Sequence, residues 1–120
     1  MTRPPEDRAF FLRKSSDIER AKRTGRRVQT PLFNLVFCRS DVPHARVGIV
    51  VGKRLGGAVM RNRAKRIFRE LARQVRQQLV PRYDMLIFPR RDSLAATHMA
   101  LREMWRATLQ QQGLLRSSGT

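Results

Sequence analysis

Basic side chains recur at helical spacing in the middle of the chain. At about 100° per residue, one face of a helix would carry an amide, five cations and no acid: Asn62, Lys65, Arg66, Arg69, Arg73 and Arg76. Solvated helix faces usually mix the two signs, because opposite charges at i,i+4 attract and like charges repel. A face of one sign is typical of a surface that meets an anion, and arginine binds phosphate in a bidentate fashion. The pattern predicts contact with nucleic acid, with an ordinary solvated face as the alternative.

A glycine-containing loop precedes this basic segment. Gly56 and Gly57 allow the backbone to approach a partner closely, and the start of the following helix offers N–H groups to phosphate. Lys53 and Arg54 stand just before the two glycines. Two adjacent glycines are a weak signal alone, but beside these cations they favour the same phosphate-binding interpretation.

The composition agrees with an anionic partner. The 120 residues include 26 Lys and Arg against 9 Asp and Glu, a formal net charge of +17. A compact body with this charge repels itself and is stabilised beside a polyanion. Hydrophobic residues make up 41%, which is enough for one globular core. We expect one domain over residues 11–113, a flexible arm over residues 1–10 and a frayed end over residues 114–120.

Several classes of protein do not fit the sequence. Cys38 is the only cysteine, so no intrachain disulfide can form, and with two separated histidines it cannot close a zinc site. No apolar run reaches the roughly 18 residues of a membrane span, and the first residues do not resemble a signal peptide. We therefore expect a cytoplasmic protein with no membrane partner.

The elements that would position the basic face alternate between strands and helices. Ser16 and Asp17 can cap a short helix that runs to Arg23 and ends at Gly25. Strands are predicted over 32–38, 46–52 and 83–88, a long helix over 59–79 and a last helix over 94–112. The short gap between the first two strands favours an antiparallel hairpin. The class is α+β with a small sheet.

An apolar stripe shares the long helix with the basic face. It comprises Ala64, Ile67, Phe68, Leu71, Ala72, Val75 and Leu79, and should pack on the sheet. In the last helix, Met104 and Trp105 could stack on bases, but with Leu101 and Leu109 at helical spacing we expect them to pack in the core.

The segment from Gly52 to Glu70 closely resembles the central motif of the bacterial ribonuclease P protein family. The most specific part of the motif is the run Arg61-Asn62-Arg63-x-Lys65-Arg66-x-x-Arg69, preceded by Gly56-Gly57-Ala58-Val59-Met60. The resemblance extends over most of the chain, from the helix near residues 12–25 to the strand at 83–88.

The resemblance implies a fold of order α-β-β-β-α-β-α. It has a four-stranded sheet and a left-handed βαβ crossover around the motif helix, against the usual right-handed rule.

The resemblance also implies a function. The protein would be one subunit of a ribonucleoprotein endonuclease whose RNA subunit carries the catalytic centre, with Mg2+, and removes the 5′ leader of precursor tRNA. The partners would be the ribonuclease P RNA and precursor tRNA. We expect no catalytic residue, no protein-bound metal and no obligate protein partner. The contacts to the RNA subunit would be Arg61, Asn62, Arg63, Lys65, Arg66 and Arg69, and the leader cleft would use Ile18, Lys22, Val36, Lys53 and Arg54.

The expected leader cleft departs from the family pattern. The family often has aromatic residues at three positions where this chain has Ile18, Lys22 and Val36, and aromatic rings stack on unpaired bases. Phe37 is nearby but should face the opposite side of its strand. We therefore expect aliphatic packing and phosphate pairing to replace stacking.

Two other functions compete with this one. A self-sufficient nuclease needs a carboxylate cluster or a histidine acid–base pair, whereas the nine acids are scattered and His44 and His98 lie far apart in sequence. A structural ribosomal protein would share the size and charge, but not the motif.

Overall fold

The structure is a computed structural model that describes residues 7–116. The helices are α1 (Asp7–Phe10), α2 (Ser15–Thr24), α3 (Ala58–Val75) and α4 (His98–Gln111), and the strands are β1 (Arg26–Gln29), β2 (Phe33–Arg39), β3 (Arg46–Ile49) and β4 (Tyr83–Pro89). Three short 3-10 turns cover Lys53–Leu55, Arg76–Gln78 and Arg91–Leu94.

The four strands form one mixed sheet in the order β1-β2-β4-β3. β2 pairs antiparallel with both β1 and β4, whereas β3 pairs in parallel with β4. Since α3 connects β3 to β4, the parallel pair and its helix form a βαβ unit. The predicted α+β class with a four-stranded sheet is confirmed, with the short helix α1 as an addition.

The predicted hairpin between residues 32–38 and 46–52 is wrong. β4 lies between β2 and β3, because its Met85, Leu86 and Ile87 are apolar on both faces and are fully buried in the centre of the sheet. The hairpin partner of β2 is β1, across a turn in which Thr30 Oγ1 accepts a hydrogen bond from the Phe33 amide at 3.0 Å. The residue-by-residue pattern did not predict β1, since most of its side chains are polar and exposed.

One face of the sheet packs against α3 and α4. The apolar stripe of α3 is buried there as predicted, except that Ile67 is only half-buried. Trp105 of α4 is fully buried, lies edge-on to Phe33 at 5.8 Å and donates from Nε1 to the Leu71 carbonyl at 3.1 Å. The prediction that Trp105 belongs to the core is confirmed.

The N-terminal segment is part of the fold from residue 7 onward. Phe10 is fully buried, and Phe11 forms a parallel bridge with Val47 at the free edge of β3. The predicted arm over residues 1–10 therefore overlaps α1 at its last four residues, where the buried ring of Phe10 stabilises the segment. Residues 1–6 lie outside the described residues.

The end of the domain also extends beyond its predicted boundary. Leu114 is buried in the main core, and Leu115 forms an antiparallel bridge with Leu79. The predicted fray over 114–120 therefore includes two residues that pack against the core, since burial of apolar side chains there is favourable. Residues 117–120 lie outside the described residues.

A buried carboxylate fixes α2 on the other face of the sheet. Asp84 of β4 is 0% exposed. Its Oδ1 accepts from Arg46 Nε at 2.8 Å, and its Oδ2 accepts from Arg46 Nη2 at 2.8 Å and from Arg20 Nη2 of α2 at 3.0 Å. The hydrogen bonds that Arg46 donates to Asp84 raise the pKa of Arg46 above its ordinary value. Arg46 Nη1 also lies 3.4 Å from Oδ2 of Asp17 at the start of α2.

Removing this carboxylate should be costly. Asp84→Ala leaves two guanidinium groups without their buried partner, and we expect the free energy of unfolding to fall by about 3–5 kcal/mol in urea titrations. The control is Glu70→Ala, which breaks an exposed 3.5 Å pair with Arg73 and should cost about 0–1 kcal/mol. Equal decreases in the free energy of unfolding of the two variants would contradict the anchoring role of Asp84.

Candidate nucleic-acid interface

The exposed side of α3 presents the predicted basic residues together. A shallow depression of about 300 Å³ is lined by Asn62, Lys65, Arg66, Arg69 and Arg73. Their spacing of three and four residues places them in one row along the helix, opposite the buried stripe. The surface is a row of cations on a rigid element, the arrangement that suits successive phosphates of a nucleic-acid backbone.

A second depression adjoins the first near the start of α3. It has a volume of about 220 Å³, and Arg61, Asn62 and Lys65 line it together with Val51 and Ala58. The Nε atom of Arg61 is buried and has no hydrogen-bond partner among the described residues. A buried donor without an acceptor is unfavourable, so an oxygen of a bound anion would satisfy it.

The start of α3 also suits an anion. No side chain caps it, and the exposed Lys53 and Arg54 lie on the 3-10 turn just before it. Gly56 has a φ of +142° and sits against Met60, where an added Cβ would lie 2.5 Å from Sδ. Gly56 thus allows the tight turn that brings these cations to the helix terminus, where the helix dipole favours negative charge.

The predicted face is not uniform along its whole length. Glu70, which the sequence analysis did not include in it, lies 3.5 Å from Arg73 Nη1, because the two residues are three apart on the helix. Arg73 and Arg76 also lie over the rings of Phe11 and Phe10, each at 5.4 Å from the ring centroid. The C-terminal part of the face therefore holds the N-terminal segment in place, and the region from Arg61 to Arg69 is the open part.

Residues 7–113 match the family model described as Ribonuclease P. The chain belongs to the ribonuclease P protein family. It is 54% identical over 55 residues to the ribonuclease P protein component of Syntrophobacter fumaroxidans, which covers 46% of each chain. It is 36% identical over 61 residues to that of Staphylococcus aureus strain Mu3, which covers 50% of this chain and 53% of the relative. The chain thus spans about half the length of the curated relatives it matches.

The solved structures of ribonuclease P proteins share this fold. The S. aureus protein superposes with a TM-score of 0.79 at 25% identity, covering 89% of this chain and 98% of that one. The Thermotoga maritima protein superposes with a TM-score of 0.76 at 26% identity, covering 83% of this chain and 94% of that one. At 83–89% of this chain, these agreements extend well beyond the motif.

Within this ribonuclease P protein, five of the six residues predicted to contact the RNA subunit line the two depressions. They are Arg61, Asn62, Lys65, Arg66 and Arg69. Arg63 is exposed but lines neither depression. Its position on the helix turns it away from the row, since it follows Asn62 by about 100°.

The residues predicted for the leader cleft are divided between two places. Ile18 and Lys22 are half-buried on α2, and Lys22 Nζ lies 3.6 Å from Glu19. Lys53 and Arg54 instead stand beside the start of α3. Val36 is 1% exposed, because it packs beneath α2 so closely that a Cβ on Gly25 would lie 2.5 Å from its Cγ1. Val36 is therefore covered in this conformation, and its contact with the leader stays a prediction.

Two residues near the predicted cleft were missed. Phe88 of β4 is half-buried on the same face as Val36. It packs against a small apolar cluster under α2 that consists of Leu12, Ala21, Val36 and Leu86. Asn34 is its partner across the strands, and Asn34 Oδ1 is buried without a hydrogen-bond partner among the described residues. The alternation of side chains along β4 could have indicated Phe88, because Asp84, Leu86 and Phe88 must share one face of the strand.

The rest of residues 7–116 bears on other types of site. No group of three or more His, Cys, Asp and Glu side chains that could hold a metal ion occurs there. None of the helices in that range is long and apolar enough to cross a membrane. His44 Nε2 lies 2.9 Å from the Ala9 carbonyl, and His98 is exposed at the start of α4.

Proposed function

We propose that this chain is the protein subunit of a ribonuclease P ribonucleoprotein and binds its RNA subunit through the open face of α3. The observation that carries the proposal is the set of motif residues Arg61, Asn62, Lys65, Arg66 and Arg69, which line two adjoining depressions on one rigid helix. The holoenzyme would remove the 5′ leader of precursor tRNA, with the catalytic centre and its Mg2+ in the RNA.

Electrostatics support docking of RNA at this face. Lys65, Arg66 and Arg69 lie on neighbouring turns of α3 with no acid in ion-pair contact among the described residues. Their mutual repulsion weakens in contact with phosphates, and binding releases counterions from the RNA. The unpartnered Nε of Arg61 adds a directed donor at the edge of the same surface.

We further propose that the single-stranded leader binds on the sheet face beside α2. Phe88 supplies an aromatic surface there, and Ile18 and Lys22 border it from the helix. A half-exposed ring can stack on any base, and the buried Oδ1 of Asn34 can accept a hydrogen bond from one. Stacking would then come from β4, in place of the positions on α2 and β2 where the family often has aromatic residues.

The first test measures how salt changes the affinity for ribonuclease P RNA. If about six phosphates are neutralised, log K should fall with log salt at a slope near −5. Arg66→Ala combined with Arg69→Ala removes two of the contacts and should reduce the slope to about −3. Filter binding at several salt concentrations gives both values.

A matched control for this test removes two exposed arginines from α4. Arg102→Ala combined with Arg106→Ala makes the same change in net charge, and its slope should stay near that of the parent protein. Both double variants should keep the parent free energy of unfolding within about 0.5 kcal/mol, since all four side chains are exposed. If the two variants lose affinity equally, binding depends on total charge, and α3 is not the docking face.

The second test separates the leader from the rest of the substrate. Phe88→Leu retains apolar packing but removes the aromatic ring, and it should weaken holoenzyme binding of precursor tRNA by the roughly 1–3 kcal/mol of one stacked base. Binding of tRNA without a leader should not change. The control is Met99→Leu, at an apolar side chain of α4 that is 70% exposed. Equal effects of Phe88→Leu on substrates with and without a leader would refute a stacking role.

A further inference from the structure

A second basic groove lies where the N-terminal segment crosses the free edge of β3. Its volume is about 370 Å³. Arg8, Arg13 and Lys14 line it from the N-terminal side, and Val42 and His44 line it from the loop between β2 and β3. The three cations are exposed and have no ion pair among the described residues.

The groove is held in shape by contacts that do not use these cations. His44 Nε2 lies 2.9 Å from the Ala9 carbonyl, which ties the β2–β3 loop to α1. Arg46 and Asp17 also line the groove, but they are paired with each other at 3.4 Å, and Arg46 is bound to Asp84 as well. The charge available to a ligand therefore comes from Arg8, Arg13 and Lys14.

One contact links the groove to the basic surface of α3. Phe11 lines the groove, and the guanidinium of Arg73 lies over its ring at 5.4 Å. Arg73 in turn lines the α3 depression with Arg66 and Arg69. One cation–π contact thus forms the shared border of the two sites, and a chain of phosphates leaving the α3 face at Arg73 would reach the groove next.

We propose that the groove is a second phosphate-binding site for the RNA subunit, into which the RNA backbone docked on α3 continues around the edge of β3. The inference rests on the proposed function and extends its docking surface. Arg8, Arg13 and Lys14 would pair with phosphates. Apolar atoms of Ala9 and Phe11 would contact the ribose between them. Phosphate contacts of this kind fix the position of a protein on RNA without reading sequence.

The test uses the full chain and ribonuclease P RNA without precursor tRNA. A triple variant, Arg8→Ala, Arg13→Ala and Lys14→Ala, should weaken binding at least about tenfold and reduce the magnitude of the salt slope by about 2–3, since each lost phosphate contact contributes about 0.9. A second variant, Arg8→Lys with Arg13→Lys, keeps the charge and should bind like the parent protein.

A triple variant at residues that do not line the groove serves as the control for net charge. Arg91→Ala, Arg102→Ala and Arg106→Ala remove three exposed cations and should leave the slope unchanged. If the groove variant behaves like this control, the groove is not an RNA site. If it binds the RNA subunit normally but the holoenzyme loses affinity for precursor tRNA, the groove serves the substrate, and the inference is also overturned.

The result of this test can be distinguished from the result that tests the proposed function. If the groove variant binds the RNA subunit like the parent protein while Arg66→Ala with Arg69→Ala binds it more weakly, only the groove is refuted as an RNA site. Parent-like binding by both sets of variants would refute docking through α3 as well.

Discussion

The buried carboxylate of Asp84 is the constraint on which the face beside α2 depends. A charge that is 0% exposed must be paired, and Asp84 is paired from two elements at once, by Arg46 of β3 and Arg20 of α2. The Arg46–Asp84 pair matches the parallel register of β3 with β4, so one set of contacts aligns the strands and positions the helix. Because α2 is held there, Val36 is covered and Phe88 stays half-exposed. The groove at the edge of β3 depends on the same pair through Arg46.

The second organising feature is the division of α3 between core and solvent. Phe68, Leu71 and Val75 fix the rotation of the helix on the sheet, so the row from Asn62 to Arg69 has to face outward. Like charges in a row destabilise an isolated helix. Packing of the apolar stripe against the sheet compensates for this. The last two arginines of the predicted face, Arg73 and Arg76, contact the N-terminal aromatic rings. The cationic surface is therefore joined structurally to the segment that carries Arg8 and Arg13.

Sequence reasoning succeeded where the signal was local and failed where it depended on distant partners. The stripe of α3 and the burial of Trp105 follow from helical periodicity, which is visible within a few turns. The order of the strands does not follow from periodicity. β4 lies between β2 and β3 because both of its faces are apolar, and this matters only once the strands are assembled into a sheet. β1 is mostly polar and forms through pairing with β2. The motif indicated the basic face of α3, whereas Phe88 became apparent only when the strands were placed side by side.

Reconstitution of precursor-tRNA cleavage tests the central claim most directly. The full chain is added to a bacterial ribonuclease P RNA at a magnesium concentration too low for the RNA to act alone, and the 5′ end of the product is mapped. The account predicts that neither component alone cleaves, that the mixture releases the leader at the mature 5′ end, and that Arg66→Ala with Arg69→Ala raises the protein concentration required. Cleavage by the protein without RNA, or no stimulation of the RNA by the parent protein, would contradict it.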